Sequence, residues 1–121
     1  MMYFKPREFR CRCGECEMGL VNMDERVIQK LDLARSIAKT PFSVRSAVRC
    51  PAHNIAVGGV ENSAHLAGNA VDIACKDSSK RFLIIEALIR VGFNRIGVYD
   101  TFIHVDNDET KPARVIWIDG G

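Results

Sequence analysis

"SAHLAGNAVDI", residues 63 to 73, is the stretch on which the reading of this chain turns. It holds His65, one of only three histidines, and Asp72, with Gly68 between them. Seven residues is too long for the i, i+4 spacing of a helical pair, and a glycine in between argues against an uninterrupted helix. The spacing suits a loop that presents His65, turns at Gly68 and enters a buried strand, "NAVDIAC", on which Ala70 and Asp72 share one face. Downstream, "FIHVD" alternates so that Phe102, His104 and Asp106 point one way and Ile103 and Val105 the other. Two neutral imidazoles and one carboxylate are a donor set for zinc, with a fourth position left open for chemistry. The same residues also read as a satisfied histidine in an apolar strand and an aspartate that caps a turn. Spacing does not choose between the two.

Outward from this stretch, the elements follow from periodicity. "NMDERVIQKLDLARSIAK" places Val27, Ile28, Leu31, Ala34, Ile37 and Ala38 at helical spacing, with acids in its first turn and Asn22 or Asp24 as cap. Pro41 opposes its continuation. "FSVRSAVR" alternates like a strand, "CPAHNIAVGG" reads as a short helical turn closed by Gly58 and Gly59, and "KDSSKRFLIIEALIRVGF" predicts a second long helix capped by Asp77 or Ser78 and stopped at Gly92. "RIGVY", "FIHVD" and "ARVIWID" are three closely spaced strand candidates. This order predicts an α+β fold, a small antiparallel sheet with helices packed on one side.

The chain has 121 residues, 47% of them hydrophobic and 26% charged, which fits one globular domain spanning residues 1–121 with an irregular, cysteine-containing lead over 1–22. No apolar run approaches the roughly 20 residues of a membrane span. The first residues lack an apolar signal-peptide core, so synthesis and retention in the cytoplasm are expected unless other machinery exports the product. A net charge of +2, with basic and acidic residues interleaved, is a weak signal for polyanions, and no nucleic-acid partner is expected.

With those residues in place, "S-x-H-x-x-G-x-A-x-D", filled by Ser63, His65, Gly68, Ala70 and Asp72, resembles the signature of the zinc D-Ala-D-Ala carboxypeptidases and phage L-alanyl-D-glutamate endopeptidases. In that family a strand ending in "H-x-D" follows, as His104 and Asp106 do here. The upstream "VRSAVRCPAHNIAVGGVENSAH" is similar to the family's "SGYRSPEHNxxVGGxxxSxH", so the likeness runs in order from about Pro41 to Asp106. It implies the hedgehog/DD-peptidase fold and a catalytic zinc ligated by His65, Asp72 and His104. It also implies that Arg49 sits by the metal to bind a substrate carboxylate or steady the developing oxyanion, and that Ser63 holds the loop or touches substrate. His53 matches a family histidine that is not a ligand and reads as structural.

The general base is the point of departure from the family pattern. A peptidase of this kind needs a group that takes a proton from the attacking water and returns it to the leaving amine. The segment "GVYDTFIHVD" has no acid three residues before His104, and Asp100, four before it, is the first choice. On a regular strand Asp100 would lie about 13 Å from His104, at roughly 3.3 Å per residue, so a turn at Asp100–Thr101 must fold it back over the site. Asp106 is the second choice, although its place in "HVD" suits a group that orients a ligand.

Five cysteines cannot all pair within one chain. Cys11, Cys13 and Cys16 cluster in "CRCGEC", and with Cys50 they form a candidate second, structural zinc site that lacks the usual second paired knuckle. Free thiols, or a disulfide from Cys11 or Cys13 to Cys50 after export, are the alternatives, and Cys75 reads as a small buried hydrophobe. No histidine neighbours these thiols in sequence, which argues against a cysteine nucleophile. The resemblance thus implies hydrolysis of a peptide bond in the bacterial peptidoglycan stem peptide, by a phage or prophage product used in lysis or carried on the virion. The competing expectation is an inactive, zinc-stabilised binding or structural module on the same scaffold, and a weaker one is a thiol–zinc domain bound to nucleic acid.

Overall fold

A computed structural model describes residues 1–119. Gly120 and Gly121, the end of the expected domain, lie outside the described residues. Three α-helices, α1 (Glu25–Ala38), α2 (Pro51–Ala56) and α3 (Ser78–Arg90), accompany five strands: β1 (Ser43–Ser46), β2 (Ala70–Ala74), β3 (Arg95–Val98), β4 (Phe102–Asp106) and β5 (Val115–Ile118). The strands make one sheet in the order β1-β2-β4-β3-β5. All neighbours are antiparallel except β3 and β5.

The parallel pair refines the expected all-antiparallel sheet, and its cause is the route of the chain. β4 ends at Asp106 opposite Arg95, the first residue of β3, and Val115 also pairs with Arg95. The loop 107–114 therefore stays at one end of the sheet and crosses the start of β3 to reach its free edge. A strand that leaves from there runs with β3. Asp108 ties the loop by accepting from the Thr110 amide at 3.0 Å, the Thr110 hydroxyl at 2.6 Å and Lys111 Nζ at 2.9 Å.

Both long helices form where the pattern places them. Asp24 caps α1 by accepting from the Arg26 amide, and Asp77 caps α3 by accepting from the amides of Ser79 and Lys80. Helix α1 stops at Lys39, which takes a left-handed conformation, two residues before Pro41. Val27, Leu31 and Ala34 of α1 and Ile84, Ala87 and Leu88 of α3 are buried against Val71, Ile73, Ile96, Ile103 and Val105 of the sheet, all in one cluster. Phe4, Phe9 and Phe42 extend it, so the irregular lead contributes to the core.

Alternation along the strands does the rest. With 71, 73, 96, 103 and 105 committed to the helix side, residues 70, 72, 97, 104, 106 and 117 face the other way. Register then aligns them in rows: Asp72 pairs with His104, His104 with Gly97 and Gly97 with Trp117, while Ala70 pairs with Asp106 and Asp106 with Arg95. Polar chemistry is gathered on the face without the long helices.

Candidate metal centre

The row from Asp72 to Trp117 floors an open cavity of about 410 Å³. His65 reaches it from a short 3-10 turn, Ala64–Ala67, capped by the Ser63 hydroxyl, which accepts from the His65 amide at 3.2 Å. Gly68 ends that turn at φ +71°, and a Cβ there would stand 2.0 Å from the Asn22 carbonyl oxygen. Only glycine meets both demands. The Gly68 carbonyl in turn accepts from the Asp24 amide at 2.9 Å, so the loop carrying His65 is seated on the start of α1.

The two imidazoles are held in opposite tautomers by their outer partners. His65 Nδ1 lies 2.6 Å from the Ala47 carbonyl oxygen, which can only accept, so this nitrogen carries the proton. His104 Nε2 lies 2.7 Å from Asp106 Oδ2, a carboxylate oxygen, and donates to it. The remaining nitrogens, His65 Nε2 and His104 Nδ1, both point at Asp72 Oδ1, at 3.2 and 2.9 Å. If both rings are neutral, two lone pairs face a carboxylate oxygen, and a cation between them is needed to make that arrangement favourable.

One divalent ion satisfies all three groups, and the ligand atoms of His65, Asp72 and His104 lie within 4.8 Å of one another. Two imidazole nitrogens and one carboxylate oxygen are donors that zinc accepts, and each histidine has the outer hydrogen bond that fixes a ligating ring. The donor set fits zinc.

Burial opposes ionisation of Asp72, but its close contacts with the His104 and His65 rings outweigh that cost and hold its carboxyl well below the usual range. Burial likewise opposes a charged His104, yet its bonds to Asp106 and Asp72 raise its pKa. Asp106, buried, also accepts from Arg95 Nε at 2.7 Å and from the Asp108 amide at 3.0 Å. It is fully engaged as a partner of its neighbours.

Arg49 stands beside the three candidate ligands. Its Nη2 is 3.6 Å from Asp72 Oδ2, its Nε donates to Ser46 Oγ at 3.3 Å and its Nη1 donates to Asn54 Oδ1 at 3.2 Å. Ser63 lines the cavity close by. His53 lies on α2, outside both groups of potential metal ligands. Asp100 falls elsewhere. A turn does form at Asp100–Thr101, closed by the Tyr99 amide donating to the Phe102 carbonyl at 3.0 Å, but it is the tip of the β3–β4 hairpin. Asp100 is exposed there, its carbonyl accepts from Arg81, and it is not part of the cavity wall.

Several wall residues carry no signal in the linear sequence. Trp117 lies across the sheet with its ring 5.5 Å from that of His104 and donates to the Tyr99 hydroxyl at 3.1 Å. It can do so because Gly97 is bare: a Cβ there would sit 2.6 Å from the indole. Arg95 stacks over the same indole at 5.1 Å, and Lys111 completes that side. Seen from the sequence alone, Trp117 is one more apolar residue of an edge strand.

Fold and centre together define a small α+β metallopeptidase-type domain, with a His–Asp–His site on the open face of a mostly antiparallel sheet. The chain belongs to the peptidase M15 family, whose model matches residues 2–106. That family is zinc-dependent, and its DD-peptidase/hedgehog-like fold agrees with the architecture described. No curated protein matches the chain. Among the described residues no helix is long and apolar enough to cross a membrane.

Proposed function

We propose that the protein is a zinc peptidase that cleaves a peptide bond next to a D-amino acid in the peptidoglycan stem peptide, as a cell-wall hydrolase of phage or prophage type. The observation that carries the reading is the pair of oppositely tied imidazoles converging on Asp72, with Arg49 alongside in an open cavity.

His65, Asp72 and His104 would hold the zinc. When bound, zinc supplies a Lewis acid that polarises the scissile carbonyl and acidifies water. Arg49 holds its guanidinium at a fixed place through Ser46 and Asn54, ready for a substrate carboxylate or for the oxyanion that develops on the carbonyl oxygen. Ser63 keeps the His65 loop in register and Asp106 keeps the proton on His104 Nε2. The indole of Trp117 and the stacked rings of Tyr99 and Phe102 offer an apolar side to the groove, suited to the alkyl part of a peptide.

A second reading, a binding module that holds such peptides without cutting them, is favoured by one specific feature. The two carboxylates on the cavity wall, Asp72 and Asp106, are both committed, one to the histidines and one to His104 and Arg95. The deciding experiment incubates the zinc-loaded protein with purified walls of several peptidoglycan types and follows released peptides and D-alanine by mass spectrometry. Hydrolysis that a chelator abolishes and zinc restores supports the peptidase. Retention on the walls with no product from any of them supports the binding module.

A further inference from the structure

Apart from the His–Asp–His centre, a second group of ligating side chains lies at the joint between the lead and α2. The sulfurs of Cys11, Cys13, Cys16 and Cys50 are all within 4.8 Å of one another, and none of the four is in a disulfide. Four thiolates around zinc, with bonds of about 2.3 Å, stand about 3.8 Å apart, so a contraction of at most about 1 Å would close a tetrahedron.

The surroundings are built for sulfur ligands. Cys13 Sγ accepts from the amides of Glu15 and Cys16, both at 3.3 Å, in a tight turn around Gly14. Cys50 Sγ accepts from the His53 amide at 3.4 Å, and Cys11 Sγ accepts from the Cys50 amide at 3.4 Å. Three of the four sulfurs thus already receive the backbone hydrogen bonds that orient thiolate ligands. The second paired knuckle absent from the sequence is replaced in space: Cys50, 34 residues beyond Cys16, brings its own turn to the cluster.

We propose that Cys11, Cys13, Cys16 and Cys50 form a closed, structural site for a thiophilic divalent metal of the zinc class, which ties the lead segment to the start of α2. With four protein ligands no position is left open for chemistry, so the metal contributes to folding rather than to hydrolysis. The lead contributes no strand to the sheet; it is also tied by the packing of Phe4 and Phe9, by the Met2 and Tyr3 amides donating to the Asp32 carboxylate on α1, and by the bond from Arg12 to the Val44 carbonyl. Its second effect rests on the peptidase reading. Cys50 precedes α2 and adjoins Arg49, whose guanidinium bonds to Asn54 on that helix, so the thiol site acts as a positioning device for Arg49.

The test is metal content and cobalt spectroscopy on the full chain, purified under reducing conditions. Two zinc ions per chain are expected. A His65→Ala/His104→Ala variant should keep one, and Cys13→Ser/Cys16→Ser should also keep one. Cobalt-loaded wild type, which needs no variant to fold, should show intense thiolate-to-cobalt charge-transfer absorption in the near ultraviolet, and the His65→Ala/His104→Ala variant should retain it. One zinc per chain with no such band, or cysteines found in disulfides in the fresh reduced preparation, would overturn the proposal. A chain that binds two zinc ions yet cuts no wall would leave the thiol site standing and remove only the peptidase reading.

Discussion

Replacing Asp106 by alanine separates the two jobs this residue does. In the native protein it accepts from His104 Nε2 at 2.7 Å and from Arg95 Nε at 2.7 Å, while its side chain is only 2% exposed. Removing it leaves Arg95, itself 10% exposed, with the Pro112 carbonyl as its remaining hydrogen-bond acceptor and the Trp117 ring beneath it. Stranding one member of a buried ion pair costs about 3–5 kcal/mol, and urea unfolding of the metal-free variant should register a loss of that order. His104 meanwhile loses the bond that fixes its tautomer, and zinc affinity measured by chelator competition should fall about 10- to 100-fold. Asp106→Asn divides the effects: an amide oxygen still accepts from His104, but a neutral group no longer compensates Arg95. Its stability should fall nearly as far while its zinc affinity stays closer to wild type. An alanine variant with wild-type stability and zinc affinity would refute the reasoning, as would an asparagine variant that binds zinc worse than the alanine one.

Other outcomes follow from the same geometry. Asp100→Ala should leave wall hydrolysis unchanged, since Asp100 sits at an exposed hairpin tip; a large loss of turnover in a folded, zinc-loaded variant would return it to the mechanism. Gly68→Ala combines a left-handed backbone with a contact 2.0 Å from a carbonyl oxygen, and denaturant unfolding should show a loss of about 3 kcal/mol or more. Asp108 is buried, which disfavours its charge, but bonds from Thr110 and Lys111 prevail and lower its pKa to about 2. A lowered folded-state pKa contributes stability that is present above pH 4 and lost as pH falls from about 4 to about 2, here about 2 kcal/mol. The acid limb of the unfolding curve should shrink in Asp108→Asn.

Much of the centre was legible because strands alternate. Once "NAVDIAC" and "FIHVD" are read with period two, Asp72 and His104 must share faces with Ala70 and with Asp106, and the glycine between His65 and Asp72 demands a turn. Arg49 came only from the resemblance of its segment to a family motif, since a lone arginine after a strand reads by itself as a surface ion pair. What stayed hidden depends on register between strands. Nothing in the local sequence says that Gly97 lies opposite His104, or that β5 crosses to the far edge of β3 and lays Trp117 over the bare backbone there. Arg95 is a similar case: a basic residue at a strand start looks solvated until Asp106 is found beside it in the sheet. Asp100 shows the opposite case. Proximity along the chain to His104 suggested a base, but a two-residue hairpin turn carries it outward along the sheet.

The central claim is that His65 and His104 present opposite ring nitrogens to one zinc ion on Asp72. Long-range proton–nitrogen NMR spectra of the imidazoles, recorded on the zinc-loaded protein, read this directly. His65 should carry its proton on Nδ1 and His104 on Nε2, with zinc-dependent shifts at His65 Nε2 and His104 Nδ1 that vanish on chelation. Imidazoles in the same tautomer, or spectra unmoved by zinc, would contradict it.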